Sequence, residues 1–375
     1  MFTLQRKSTT FDFTSTGPTW RGTMGRLAMK RRRSLREVRI LVKIIVALLE
    51  SFMNPRLILH IGANKTGSSA IQTFLRLNWK LLRSIGYFVP DRNLGASEDV
   101  TGDHGICLQE YFNRSDHAAL DAPIKILLRN DAKTIVISAE NLSNGQNFLL
   151  FEKLVRGVDC RVVLYIRRQD DFITSSWHQW NSKIEPDFNA WLILALQRLG
   201  HWQRCIAGWE SVVGAGNVIP RIFQRSDLVR GDVVDDFISL LTFDNPFPEF
   251  ARPVSLINPS YSDVITSIVS GSKFLFANEH DNKFYDMVHK LTGDAYVGKR
   301  KVSLLSPAQR EKIIEYYRPQ NEIVCGKYFP GRTPLFEPVD HSKYEYLTSA
   351  ELMKRQLEFL ASLVYAMYSR GAMGR

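Results

Sequence analysis

The stretch from Leu57 to Arg83 limits most strongly what this chain can fold into. Leu57–Ile61 (LILHI) is an apolar run of strand length, and it ends in Gly62. The turn that follows, Gly62-Ala63-Asn64-Lys65-Thr66-Gly67, holds a second glycine. From Ser68 onward Ala70, Ile71, Phe74, Leu75, Leu77, Leu81 and Leu82 recur at helical spacing, and Gly86 supplies the stop. A buried strand feeding a helix through a glycine turn is the opening of a parallel β–α–β unit.

The pattern repeats. Tyr87–Val89, Thr134–Ser138 (TIVIS), Arg161–Ile166 (RVVLYI) and Asn217–Phe223 (NVIPRIF) read as further strands. Pro220 places the last near an edge or a bulge, because proline gives no N–H to a ladder. Asp170–Lys183 and Val233–Leu241 read as helices, and Asp91 to about Pro123 as a polar loop with short helices. Ser306-Pro307-x-Gln309 and Thr348-x-x-Glu351 are capping boxes that open two late helices, the second running to about Tyr368. The expected fold is α/β: a three-layer, P-loop-type architecture with a mainly parallel central sheet flanked by helices and a helical C-terminal part. Residues 54–335 form the expected α/β domain and 336–375 a C-terminal helical extension.

The net charge of +11 points to an anionic partner. Much of the excess is local, in Lys30-Arg31-Arg32-Arg33 with Arg36 and Arg39. Residues 1–38 read as a disordered basic extension. Residues 39–53, which include RILVKIIVALLESF, read as a basic amphipathic helix suited to an anionic membrane surface, or as a dispensable extension with the core starting near Met53. The apolar run is too short to span a bilayer, and Lys43 interrupts it. No nucleic-acid-binding module is recognisable, so no nucleic-acid partner is expected. Cys107, Cys160, Cys205 and Cys325 are scattered without a CxxC pair, which argues against a zinc site or a disulfide framework. Scattered reduced thiols fit a cytoplasmic protein, peripheral to a membrane if residues 39–53 dock on one.

The Gly62–Ser69 loop has the makings of an anion cradle. Its glycines allow close backbone approach, and the helix N-terminus behind it offers free N–H groups and a positive dipole end. Asn64, Lys65, Thr66, Gly67, Ser68 and Ser69 are the candidate binding residues. The Gly62-x-x-x-x-Gly67 spacing matches a Walker A loop, but Ser68 stands where that loop carries its lysine. A P-loop kinase using a magnesium-bound triphosphate is the alternative this substitution contradicts. A non-catalytic, membrane-associated basic protein is the alternative from another class.

A second strand–turn–helix segment runs from Arg161 to Ser176. Arg167 leaves the strand tip, and Ser175 follows eight residues on. An arginine fork and a serine hydroxyl can grip one phosphate together. With Lys65-Thr66-Gly67-Ser68-Ser69, the pair resembles the sulfotransferase superfamily, whose members use 3′-phosphoadenosine 5′-phosphosulfate. HIGxxKTGSSxIQxFL and YxRRQDDF resemble bacterial members that modify glycans or glycolipids. Gly231–Phe237, Tyr316–Asn321 and Tyr328-Phe329 are similar to the same group, and the resemblance covers roughly residues 56–330.

The resemblance implies a nucleotide sulfuryl donor held by the Asn64–Ser69 loop with Arg167 and Ser175, no metal, and a saccharide or glycolipid acceptor. It implies that Lys65 faces the leaving group and that a Glu or His before the second segment is the general base. Glu140, at the end of Thr134–Ser138, fits that position; His104 is a rival as base or acceptor contact. His60 reads as a packed core histidine. Lys299-Arg300-Lys301 reads as a solvated basic run, or as a late loop reaching the 3′-phosphate. Trp177, Trp180 and Trp191 have faces suited to sugar rings but are of a type more often found in cores.

Overall fold

In a computed structural model of the chain, the described residues are 55–114, 120–128, 131–241, 249–253, 263–293 and 301–373. The expected disordered segment 1–38 and amphipathic helix 39–53 lie outside them, as do Lys299 and Arg300.

Five strands form one sheet: β1 (Arg56–His60), β2 (Tyr87–Phe88), β3 (Thr134–Ser138), β4 (Cys160–Ile166) and β5 (Val218–Ile222). Their order is β2-β3-β1-β4-β5, and every neighbouring pair is parallel. Leu57 and Leu59 of β1 face one side of the sheet and Ile58 the other, and all three are buried. That is why the sequence reads as a continuous apolar run. Pro220 sits in β5, at an edge of the sheet, where a missing N–H costs no ladder bond.

Helices cover both faces. On one, α1 (Ser68–Ser84) sends Ile71, Phe74 and Leu75 against Ile58, Val136 and Val163, alongside Val233 and Phe237 of a later helix. On the other, Trp202, Ile206, Trp209, Val324 and Cys325 pack on Leu57, Leu59, Ile135, Val162 and Leu164. The result is the three-layer arrangement that the alternation of strands and helices implies.

The polar stretch after β2 holds α2 (Gly105–Asn113) and α3 (Asp121–Leu128). The helix expected over 170–183 is broken into two kinds of turn. It begins as α4 (Gln169–Ser176), passes through a π-helical turn at Trp177–Asn181, and ends in a single turn, Ser182–Ile184. Two helices unanticipated from the sequence follow, α5 (Phe188–Arg198) and α6 (Trp202–Val213). After β5 come α7 (Val233–Leu240), α8 (Asp263–Val269), α9 (Lys283–Thr292), α10 (Pro307–Tyr328) and α11 (Ser349–Met373). Short strands β6 (Lys301–Val302) and β7 (Tyr344–Glu345) pair apart from the main sheet. Both capping boxes are formed. Ser306 Oγ accepts from Gln309 N–H at 3.2 Å while Gln309 reaches back to Ser306 N–H at 2.8 Å. Thr348 and Glu351 do the same at 3.3 and 2.8 Å. Among the described residues no helix is long and apolar enough to cross a membrane.

The segment between α10 and α11 is bound to the sheet domain. Arg168 donates to the carbonyls of Glu337 and Pro338, each at 3.3 Å, and the Tyr344 hydroxyl donates to Asp171 at 2.6 Å. Arg332 pairs with Asp227 after β5, and Ser226 donates to Glu337 at 2.7 Å. Residues 332–344 thus run as a strap along the rim formed by the ends of β4 and β5.

Candidate functional site

The strand order reverses direction around β1, which lies between β3 and β4. In open parallel sheets the crevice outside the carboxyl ends of the strands, at such a switch point, is where ligands bind. The 61–67 loop leaves β1 at that point. Ile61 N–H donates to Val163 O at 2.9 Å, and the turn closes through Thr66 Oγ1, which donates to Ala63 O at 2.5 Å. Lys65 has φ 64°, an unusual value for a residue with a side chain, and Gly67 has φ 83° as the residue capping α1. A Cβ on Gly67 would stand 2.8 Å from Val233, so only glycine fits between the loop and α7. Two residues of left-handed backbone around Thr66 wrap the chain into a concavity ahead of the helix N-terminus, the form of an anion-binding nest. α1 has no side-chain cap and no acidic residue in its own first turn.

The two sequence motifs meet here. Arg167, leaving β4, donates from Nη1 to the Lys65 carbonyl at 3.1 Å. It also lies 3.9 Å from Asp171. Ser175 is half-buried in the last turn of α4. A cavity of about 170 Å³ beside Arg167 is lined by Asp171, Phe223, Glu337, Lys343 and Tyr344, among others. The base of this region is an ionic network. Asp170, fully buried, takes a two-point contact from Arg168 at 2.7 and 3.1 Å and a third bond from Arg310 at 2.5 Å. Arg310 lies 3.5 Å over the Tyr344 ring. Gln169 and Asn321 exchange amide bonds at 2.7 and 3.1 Å, tying α4 to α10.

Glu140 stands on the other side of the loop. Ala139 N–H donates to His60 O at 2.9 Å, continuing the β1–β3 ladder and delivering Glu140 beside Ser68 and Lys65. Burial, reinforced by the Asp103 carboxylate, pushes the Glu140 carboxyl up to about 7, against the pull of the Ser68 hydroxyl and the Lys65 ammonium. A carboxyl poised near neutrality in a crevice is what a general base requires.

His104 is placed differently from Glu140. Its ring is buried, Nδ1 accepts from Ser138 N–H at 3.2 Å, and Nε2 meets Pro90 O at 3.1 Å. With both nitrogens engaged by backbone, it braces β3 against the chain after β2. Burial holds its pKa below the ordinary value. Trp177 is a core residue packed against Phe188 and Trp191. Asp103, Asp171, Phe223 and Tyr344 belong to the site region and were not legible as such. Asp103 carried the clearest signal, as an acid inside the Thr101-Gly102-Asp103-His104-Gly105 loop.

Comparison with known proteins adds little beyond the geometry. No protein-family profile matches the chain. An uncharacterised protein of Archaeoglobus fulgidus is 22% identical over 230 residues, 60% of this chain. The match spans 62% of that relative's length. Among solved structures, a sulfotransferase from Alicyclobacillus acidocaldarius aligns over 75% of this chain and 98% of its own, with a TM-score of 0.40 and 12% identity.

The crevice thus brings together the concave backbone of the loop, the Arg167 guanidinium and the raised Glu140 carboxyl. Among the described residues no group of three or more His, Cys, Asp or Glu side chains is placed to bind a metal ion.

Proposed function

We propose that this chain transfers a sulfuryl group from 3′-phosphoadenosine 5′-phosphosulfate to a hydroxyl of a carbohydrate or glycolipid acceptor. The observation that carries the reading is the Arg167–Lys65 contact at 3.1 Å, which joins the two halves of the motif pair at one crevice. The residues fit such a donor. The loop's left-handed turn and uncapped helix end suit a 5′-phosphosulfate, and the arginine fork of Arg167, with Ser175 on the helix that follows it, suits a separate 3′-phosphate.

The donor supplies a sulfur electrophile with a phosphate leaving group. Lys65 and the α1 N-terminus stabilise negative charge where it develops on that phosphate. Glu140 takes the proton of the attacking hydroxyl. Holding both partners at the mouth of β1 supplies proximity. Lys65 also draws the Glu140 pKa down, so one cation serves both proton acceptance and leaving-group charge.

Isothermal titration calorimetry tests the reading. Adenosine 3′,5′-bisphosphate binds without added metal, and Arg167→Ala abolishes binding while leaving the thermal melt in place. A wild-type protein that ignores this ligand sinks the proposal.

A further inference from the structure

His60 closes β1 directly beneath the loop. Its ring is fully buried and edge-on to Tyr165 and Phe237, with centroids 5.8 and 5.6 Å away. Nδ1 lies 2.8 Å from Ser138 Oγ. Nε2 is buried as well and has no partner among the described residues. An unsatisfied ring nitrogen costs stability, so packing alone would favour phenylalanine at this position.

The surroundings of Nε2 supply a reason for the histidine. A Cβ on Gly62 would stand 2.6 Å from His60 Nε2 and 3.1 Å from Ser68 Oγ. The two polar atoms border one small space, which the glycine leaves open. Ser68 Oγ is in turn the hydroxyl that draws the Glu140 pKa down.

We infer that His60 is a positioning residue whose Nε2–H is aimed at Ser68 Oγ across the space above Gly62, so that the Ser68 proton is given to Glu140. The inference rests on the proposed role of Glu140 and extends it. The inferred chain runs from Ser138 Oγ–H to Nδ1, a bond formed at 2.8 Å, then from Nε2–H across the gap to Ser68 Oγ, and from Ser68 Oγ–H to the carboxylate. Each inner member donates once and accepts once, and none carries charge. Burial pushes the imidazole down to about 3, so the ring is neutral at any working pH. Ala63 O, 3.5 Å from Ser68 Oγ, is a competing acceptor for the same proton. The charged groups facing Glu140 are Lys65 from the loop and Asp103 from the segment before α2. Ser138, Tyr165 and Phe237 face His60 from β3, β4 and α7, and the Tyr165 hydroxyl is committed to Asp236 at 2.8 Å.

The test uses the ligand-free full chain. Carbon-13 NMR follows the Glu140 carboxyl through a pH titration, assigned by its absence in Glu140→Gln. His60→Asn keeps a group facing Ser138 but lacks one at Nε2; His60→Gln reaches the Nε2 position. The Glu140 midpoint rises by about half a pH unit or more in His60→Asn and stays within about 0.2 of wild type in His60→Gln. A His60→Asn protein that titrates like wild type overturns the inference, as does His60→Gln moving as far as His60→Asn. The wild type gives a second test that needs no variant. Nitrogen-15 shifts show the His60 proton on Nε2, and a proton on Nδ1 overturns the inference. Neither measurement involves sulfuryl transfer, so each stands or falls apart from the activity.

Discussion

Glu140→Gln should make the protein more stable and less active at once. The carboxyl titrates at about 7 in the fold against 4.5 ordinarily. The folded state therefore holds this proton more tightly than the unfolded chain does. The contribution of Glu140 to stability is most favourable below pH 4.5, declines as pH rises through the window from 4.5 to 7, and carries its full cost above 7. The interval between those two values corresponds to about 3 kcal/mol. Glutamine has the same shape and no charge at any pH. Glu140→Gln is then more stable than wild type by about 3 kcal/mol at pH 8, and by less than about 1 kcal/mol at pH 5. Urea unfolding at the two pH values measures both gaps. A gap of equal size at pH 5 and pH 8 would refute the reasoning, because the variant would then be acting through packing rather than charge. If sulfuryl transfer is the reaction, the same substitution removes the proton acceptor, and turnover drops by about 10²- to 10⁴-fold.

Two further outcomes follow from the loop and the network beneath it. Gly67→Ala meets both a left-handed φ of 83° and a contact of 2.8 Å with Val233. It loses about 2 kcal/mol in urea unfolding, and calorimetry shows weaker binding of adenosine 3′,5′-bisphosphate. Asp170→Asn leaves the buried Arg310 guanidinium with only the partial compensation of Asp171, at 3.4 Å. The fold loses about 3 kcal/mol, read from the shift in urea midpoint.

What was legible in the sequence was what local chemistry dictates. The LILHI run, the glycine turn and the α1 periodicity place β1, the loop and α1 within a residue or two of where they lie. Each of those signals is contained in a dozen residues. The break in the helix after Ser176 was not legible. The π-turn at Trp177–Asn181 accompanies Trp177 packing on Phe188 and Trp191, contacts made by residues that come later. His104 shows the same limit from another side. A histidine in a polar glycine loop reads as available, but the backbone at Pro90 and Ser138 engages both of its ring nitrogens. For Glu140 the sequence gives a position after β3. Its proximity to Ser68 and Asp103 depends on how β1, β3 and the chain before α2 converge.

The strap gives the protein a particular history at the ribosome. All five strands of the main sheet have been synthesised by Ile222, and the glycine loop with them. Arg168 nevertheless bonds a carbonyl at Glu337, 169 positions later, and Asp170 waits 140 positions for Arg310. Domains generally fold from the N-terminal end as the chain emerges. The nascent molecule therefore carries Asp170 without Arg310, and Arg168 without its strap carbonyls, well before those partners exist. Assembly of the crevice is a late event, and a ribosome that stops after Tyr328 releases a sheet with its glycine loop but no finished wall.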